Sequence, residues 1–555
     1  MTAATLLPLS VMMPLLGAAL ALLTSRRPKA QRAVAVGSLS IQFVFEIIML
    51  LEVDANGPLV MHIGGWDSPV GITLVADRLS ALMLVVSTLV TLAVLVYAIA
   101  QGHSDGESRE APVSVFHPAF LIMAAGVSNA FLAGDLFNLY VSFEILLTAS
   151  YVLLTLGSTL ERIRSGAPYV VISIVSSIIF LSGIGMIYAA TGTLNMADLA
   201  DRLQALPATL MVVLQSLLLI AFGVKAAIWP MSAWLPDSYP TASAPVTAVF
   251  AGLLTKVGIY AIIRTQTLLF PGGFQTLLMI IGLATMVIGI LGAIAQNEIK
   301  RLLSFTLVSH IGYLVFGVAI GTQAGLAATV FYVAHHILVQ TALFLATGLV
   351  EHITGTTRID RLGGLAKTAP ALAVLFFIPA MNLGGVPPFS GFLGKVGLVE
   401  AGIATGSVTA IVVVAGGALT SLLTLLAIVR VWGRAFWRPR PEVEDGDPRP
   451  EHRVGGTPQG RQGREGGRGR GHGEARATGA APADDQQPAR VRQGISTGAD
   501  LRSMPVGMVG ATLVVVAAGL ALMIFGGVFY GYADRAADDL TGNVAYISAV
   551  LGSGR

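Results

Sequence analysis

The 555-residue sequence contains no cysteine, and Asp, Glu, Lys and Arg together supply only 12% of it. Without thiols there is no disulfide framework, thiolate metal site, iron–sulfur cluster or cysteine nucleophile, so any chemistry falls to other side chains. No haem motif or nucleotide fingerprint occurs either, so no redox centre, cofactor or metal is expected in this chain. The formal net charge is only +3, and the basic residues gather in loops and in one late polar segment. That distribution does not call for a nucleic-acid partner. So little charge, with 54% hydrophobic residues and a mean hydropathy of +0.76, excludes an ordinary soluble fold and leaves the lipid bilayer as solvent.

The fold class that follows is an all-α polytopic membrane protein. Runs of roughly 20 apolar residues, the length that crosses a bilayer, begin near residues 5, 33, 77, 117, 135, 167, 208, 241, 273, 301, 325, 370, 406 and 505. They give about 14 spans at that length. The first, "LLPLSVMMPLLGAALALLT", has no basic region before it and is expected to be retained rather than cleaved as a signal. Loops after odd-numbered spans hold the cations ("SRRPKAQR", "LERIRSG", "NEIKR", "TRIDRLGGLAK"), and those after even-numbered spans hold almost none ("GDLFN", "TQTLLFPGG", "IGTQAG", "GIATGS"). The positive-inside rule then places the basic loops in the cytoplasm and both termini outside, in a bacterial plasma membrane. The acidic loop "QGHSDGESREAP" after the third span fits this pattern poorly. Residues 57–76 alternate and turn like a short outer hairpin. Residues 438–503, rich in Gly, Arg, Pro and Asp, have almost nothing to bury and are expected to form a disordered cytoplasmic insert.

Ionisable groups deep in a span cost several kcal/mol each, so they are rare and face a protein interior or a water path. Four stand out: Glu144, Lys225, Lys256 and Lys395. A snorkelling or ion-paired role accounts for one such residue more easily than for four of both signs. Glu46, Asp135, Glu400 and Arg264 lie nearer span ends, where interfacial solvation is expected to accommodate them. His310, His335 and His336 add groups that titrate near neutral pH and suit a proton relay. Adjacent histidines on a helix point about 100° apart, so metal ligation is not expected. Two spans are also interrupted. Pro230 follows Lys225 by five residues in "VKAAIWPMSAWLPDSY", and Gly384, Gly385, Pro387 and Pro388 precede Lys395 in "GGVPPFSGFLGK". Each break frees backbone carbonyls at membrane depth, which invites water to the neighbouring lysine.

"DLFNLYVSFEILLTASYVLL", "KAAIWPMSAWLPDSYPTASAPVTAVFAGLLTKVGIYAIIR", "NEIKRLLSFTLVSHIGYL" and "GGVPPFSGFLGK" resemble the antiporter-like membrane subunits shared by the Mrp multisubunit sodium/proton antiporters, respiratory complex I and membrane hydrogenases. "GTLNMADLADRL" adds a resemblance to the D subunits of the Mrp antiporters. The resemblance implies two inverted five-helix repeats, here residues 117–266 and 267–437, with discontinuous seventh and twelfth helices. Helices of 1–116 would precede them, and the insert and last span of 504–555 would follow. It further implies a proton relay through Glu144, Lys225, Lys256, His336 or Gln340, and Lys395, with other membrane subunits as partners and protons and Na+ as cargo. Glu144 and Lys225 would form an opposite-charge pair that closes and opens. One position departs: where the family commonly has lysine four residues after the eleventh-span histidine, this chain has Gln340, which cannot carry a proton as a cation. The alternatives are a proton-pumping subunit of complex I or a membrane hydrogenase, and a structural scaffold subunit.

Overall fold

The computed structural model describes residues 3–102, 113–156, 160–439 and 504–552. Most of the acidic loop after the third span, and the insert from residue 440 to 503, lie outside the described residues. In lipid a backbone must satisfy its own polar groups, and long apolar runs do so as helices. In chain order these are α1 (Leu6–Leu23), α2 (Pro28–Asn56), α3 (Arg78–Ala100), α4 (Val113–Leu132), α5 (Leu136–Thr155), α6 (Leu160–Thr191), α7 (Met196–Gln204), α8 (Ala208–Ala226), α9 (Trp234–Ser238), α10 (Ala244–Val249), α11 (Thr255–Arg264), α12 (Gln275–Ile294), α13 (Ile299–Ile320), α14 (Gln323–Thr354), α15 (Leu365–Thr368), α16 (Pro370–Gly384), α17 (Ser390–Ala404), α18 (Val408–Val431), α19 (Val506–Ile524), α20 (Gly526–Gly542) and α21 (Val544–Leu551). A π-helical turn, Phe250–Leu254, joins α10 to α11, and a second, Thr265–Leu269, extends the same rod. Among the described residues thirteen helices are long and apolar enough to cross a membrane. The broken pair α16 and α17, each of 15 residues, occupies the remaining apolar run, so each expected span start has a helix.

Depth in the bundle sorts the helices. The most apolar windows of α14 and of the Ala244–Leu269 rod are wholly buried, whereas those of α1, α2 and α18 are only 33% buried. The first two are therefore core and the last three present most of their surface outward. The α14 rod has 32 residues, about 48 Å at 1.5 Å per residue. It starts where the Thr322 hydroxyl accepts the Gly325 N–H at 3.2 Å and stops at Gly355, whose φ of 72° ends the ladder as glycine can without a Cβ clash. Around it pack α3, α10, α13, α16, α17, α19 and α20.

Strands β1 (Leu59–His62) and β2 (Thr73–Ala76) pair antiparallel, Leu59 opposite Ala76. Residues Ala3–Thr5 and α21 both contact β1, so the two ends of the described chain share one face. There Arg78 bridges Asp54 and Asp539, and Arg535 binds Asp54 at 2.7 Å. At the other ends of the helices Lys300 pairs with Glu351 and Arg301 with Asp237, each at 2.7 Å. Arg438 donates to the carbonyls of Asp360 and Leu362 there.

Charges expected to be solvated at span ends are mostly buried. Arg264 is 2% exposed, pairs with Asp77 at 2.6 Å and faces the rings of Tyr260 and Tyr546. Glu46 is 0% exposed, and Asp135 is buried as the N-cap of α5. Glu400 alone is exposed. For Glu46 and Arg264 the expectation failed because the helices overrun the apolar runs: α2 continues ten residues past Glu46, and the π-turn carries the α11 rod to Leu269. Asp135 does sit at its helix end, where a β-bridge joins it to Asn195.

Candidate functional site

The first break begins earlier than its proline. The α8 helix stops at Ala226, and Ala227 turns left-handed with φ 57°. The Ile228 N–H then donates to the Gly223 carbonyl at 2.9 Å and the Ala227 N–H to that of Val224 at 3.1 Å. This is the Schellman closure of a helix end, and the Trp234 indole adds a bond to the Val224 carbonyl at 3.2 Å. Carbonyls expected to be left open by Pro230 are thus partly satisfied within the protein. Lys225, buried in the last turn, donates to Ser177 Oγ at 3.1 Å and lies 4.9 Å from the centre of the Phe143 ring.

Glu144 does not meet Lys225. Among the described residues neither makes an ion pair, and Glu144 Oε1 has no hydrogen-bond partner. Successive residues on a helix project about 100° apart. An α5 helix that sets Phe143 against Lys225 therefore aims Glu144 elsewhere, into an apolar groove lined by Leu22, Tyr140, Ile145 and Val152. The expected pair is open in this structure.

The core carries the rest of the candidates. Lys256, 0% exposed, donates to the Ala251 carbonyl at 2.7 Å, within the π-helical turn. Such a turn displaces carbonyls from the regular ladder and is frequent at functional sites. It also brings Gly252 against α14, where a Cβ would stand 2.3 Å from Thr341 Oγ1, so only glycine permits this approach. Beside Thr341, Gln340 Nε2 donates to the Leu303 carbonyl at 2.8 Å, which leaves Oε1 without a partner. One turn earlier His336 is fully buried, and neither ring nitrogen has a partner among the described residues. Its ring stacks on His310 with centroids 5.2 Å apart. His310 Nδ1 lies 2.7 Å from the Tyr332 hydroxyl, and its ring lies 5.6 Å from that of Tyr313. His335 points to another neighbour, with Nδ1 3.0 Å from Ser390 Oγ, so the adjacent histidines do not share a ligand.

At the second break α16 ends at Gly384 and Gly385 adopts φ 76°. The same closure forms, Val386 N–H to Met381 O at 3.3 Å and Gly385 N–H to Asn382 O at 3.1 Å. Pro387 and Pro388 lie in the gap before α17. Lys395 reaches back across it, donating to the carbonyls of Leu383 at 3.2 Å and Gly384 at 3.3 Å and to Ser421 Oγ at 2.9 Å. Its Nζ lies 5.3 Å from the Tyr313 ring. Asn382 Oδ1 accepts from the Gly391 N–H at 2.8 Å and from Ser390 Oγ at 3.2 Å, which fixes the hydroxyl that faces His335.

The structure therefore joins His336, His310, Tyr313 and Lys395 through ring contacts, with Gln340 and Lys256 adjoining on α14 and the rod beside it. Ser177, Tyr313, Tyr332, Asn382, Ser390 and Ser421 do not stand out in the sequence. A serine or tyrosine in an apolar run is ordinary packing until its partner is known. Asn382 ahead of the double glycine is the one available signal.

Residues 133–423 match the family described as NADH:quinone oxidoreductase/Mrp antiporter, TM. The chain is 40% identical over 441 residues to a Na(+)/H(+) antiporter D subunit of Alkalihalophilus pseudofirmus, covering 79% of this chain and 88% of that protein. It is 38% identical over 450 residues to a Na(+)/H(+) antiporter D subunit of Bacillus subtilis, covering 80% and 89%. Among solved structures it is similar to a chain in the structure of the Mrp complex from Dietzia sp. DQ12-45-1b, with TM-score 0.85, 32% identity and 100% of both chains covered. The matched segment contains every candidate from Glu144 to Lys395, and the chain belongs to the NADH:quinone oxidoreductase/Mrp antiporter family, among its antiporter D subunits.

Proposed function

We propose that this chain is the proton-carrying subunit of a multisubunit antiporter of the bacterial plasma membrane, exchanging Na+ for protons along the buried line from Lys225 to Lys395. The observation that carries the reading is the run of buried bases, Lys256, His336, His310 and Lys395, with no carboxylate paired to any of them among the described residues. Bases packed this closely without counter-charge cannot all be ionised together. Each one's proton occupancy then depends on its neighbours, which is what a relay needs. At the Lys225 end, closing the pair with Glu144 favours the ammonium, and opening it favours the neutral amine and passes the proton on toward Lys256. The two breaks with the same closure fit two inverted repeats, and the basic face at Lys300, Arg301 and Arg438 fits the cytoplasmic side.

The experiment is sodium-dependent proton movement in everted vesicles carrying Glu144→Ala or Lys225→Ala. Each variant is expected to insert normally and to lose exchange. Normal exchange in either, at parental abundance, overturns the reading.

A further inference from the structure

Away from the lysine line, a second group of buried polar side chains joins α2, α3 and α4. Glu46 and Gln42 are 0% exposed, and Thr88 and Ser128 are 3% exposed. Gln42 Nε2 lies 2.8 Å from Glu46 Oε1, 3.1 Å from Thr88 Oγ1 and 2.9 Å from Ser128 Oγ. A primary amide nitrogen has two hydrogens, so it satisfies at most two of these three oxygens. Among the described residues Glu46 Oε2 and Gln42 Oε1 are buried without a hydrogen-bond partner. Oxygens from three helices thus converge on one point, and the amide fills that point imperfectly.

No cation among the described residues balances Glu46. The α1 helix carries no titratable side chain. On α2 itself Lys29, Arg32, Glu52 and Asp54 are all six or more residues away from Gln42 and Glu46. On α3 Arg78 is bound to Asp54 and Asp539, and Tyr97 donates to the Leu345 carbonyl. On α4 His117 lies eleven residues before Ser128. A bare carboxylate at this depth is strongly disfavoured, so Glu46 must hold either a proton or a cation.

We propose that Glu46, Gln42, Thr88 and Ser128 form a binding site for a dehydrated monovalent cation, Na+, which exchanges with the proton on Glu46. The oxygen and nitrogen of a carboxamide are nearly the same size. Turning the Gln42 amide over sets its Oε1 beside the Glu46 carboxylate, the Thr88 hydroxyl and the Ser128 hydroxyl. The turned amide adds a fourth oxygen to the three already gathered there, and oxygen is the donor type that hard cations take. One carboxylate cancels one positive charge, whereas a divalent ion would leave net charge in the membrane. The exchange balances: Na+ enters as the Glu46 proton leaves, and the site's net charge stays zero. The site shares no residue with the lysine line, and its occupancy is read without transport, so its failure would leave the proposed relay standing.

The test uses the intact antiporter complex in weakly buffered detergent solution, titrated with NaCl while proton release is followed by a pH dye, with choline chloride as the blank. Glu46→Gln is expected to release one proton fewer per complex than the parent, whereas Lys225→Ala still releases the Glu46 proton when Na+ is added. Ser128→Ala and Thr88→Val keep the carboxyl and are expected to raise the half-saturating Na+ concentration ~10-fold. Release from Glu46→Gln equal to the parent's at every Na+ concentration overturns the proposal. If that variant does not assemble, an unchanged half-saturating concentration in both Ser128→Ala and Thr88→Val overturns it equally.

Discussion

At the first break α8 ends at Ala226 and at the second α16 ends at Gly384, and in both the next residue turns left-handed and two N–H groups close back on the preceding turn. That closure leaves the last two carbonyls of each helix unserved. At the second break these are the carbonyls of Leu383 and Gly384, and Lys395, which follows the gap, donates to both and to Ser421. A cation there also meets the negative end of the α16 dipole. At the first break the lysine precedes the gap. Lys225 is itself one of the residues whose carbonyl is unserved, and its side chain turns to Ser177 on α6 and not to its own helix end. Among the described residues its Nζ makes a single hydrogen bond, to Ser177, beside the Phe143 ring. Two helix ends built alike thus leave one lysine anchored by three oxygens and the other held by one, which suits Lys225 to switching and Lys395 to a fixed terminus.

The largest expected effect comes from replacing each lysine by arginine, which keeps the charge but does not release its proton. If both are carriers, Lys225→Arg and Lys395→Arg each lower exchange by ~100-fold or more, as severely as alanine would. Retained exchange in Lys395→Arg would reduce the second site to a fixed charge and break the parallel.

Next is Gly385→Ala. A Cβ there would lie 2.9 Å from Lys395 Cδ and 3.0 Å from Nζ, and a side chain at that φ costs about 1–2 kcal/mol. Exchange is expected to fall ~10-fold as the ammonium is pushed off its carbonyls, a loss of roughly one charged hydrogen bond. Vesicle transport together with thermal unfolding separates the two effects.

Ser177→Ala and Ser421→Ala compare the lysines by their partners. Removing Ser177 takes the one hydrogen-bond partner Lys225 has among the described residues and is expected to change exchange ~5–10-fold, whereas removing Ser421 leaves Lys395 two carbonyls and costs ~2-fold. The reverse order in a transport assay would contradict the unequal anchoring. The smallest effect belongs to Ala227→Gly, which relieves the left-handed residue of the first break. It is expected to stabilise the protein by about 1 kcal/mol in a thermal unfolding measurement and to leave exchange unchanged.

The spans and the lysines are legible in the sequence because several charges of both signs deep in apolar runs outweigh the snorkelling or ion-paired role that would account for one. The directions of side chains are not. In a helix apolar all round, periodicity does not mark an inward face, so nothing in "LYVSFEILL" tells Phe143 from Glu144 as the neighbour of Lys225. Gln340 reads as the weak point of the relay from one missing lysine. That its amide is tied to the carbonyl of Leu303, 37 residues earlier, depends on the packing of α13 on α14. The π-helical turn under Lys256 and the burial of Glu46 and Arg264 are likewise set by tertiary contacts that outrun the local pattern.

The centre of the line is tested most directly at His336, where the two lysine ends have to be connected. The measurement is the pH profile of sodium-dependent proton efflux in vesicles for His336→Ala, Gln340→Ala and Gln340→Lys. With His336 as the bridge, His336→Ala stops exchange. Gln340→Ala only slows it, since water can replace part of an amide's role, and Gln340→Lys stays active with a displaced pH optimum. Full exchange in His336→Ala at normal abundance would contradict a path through this residue and move the connection to His310 or His335.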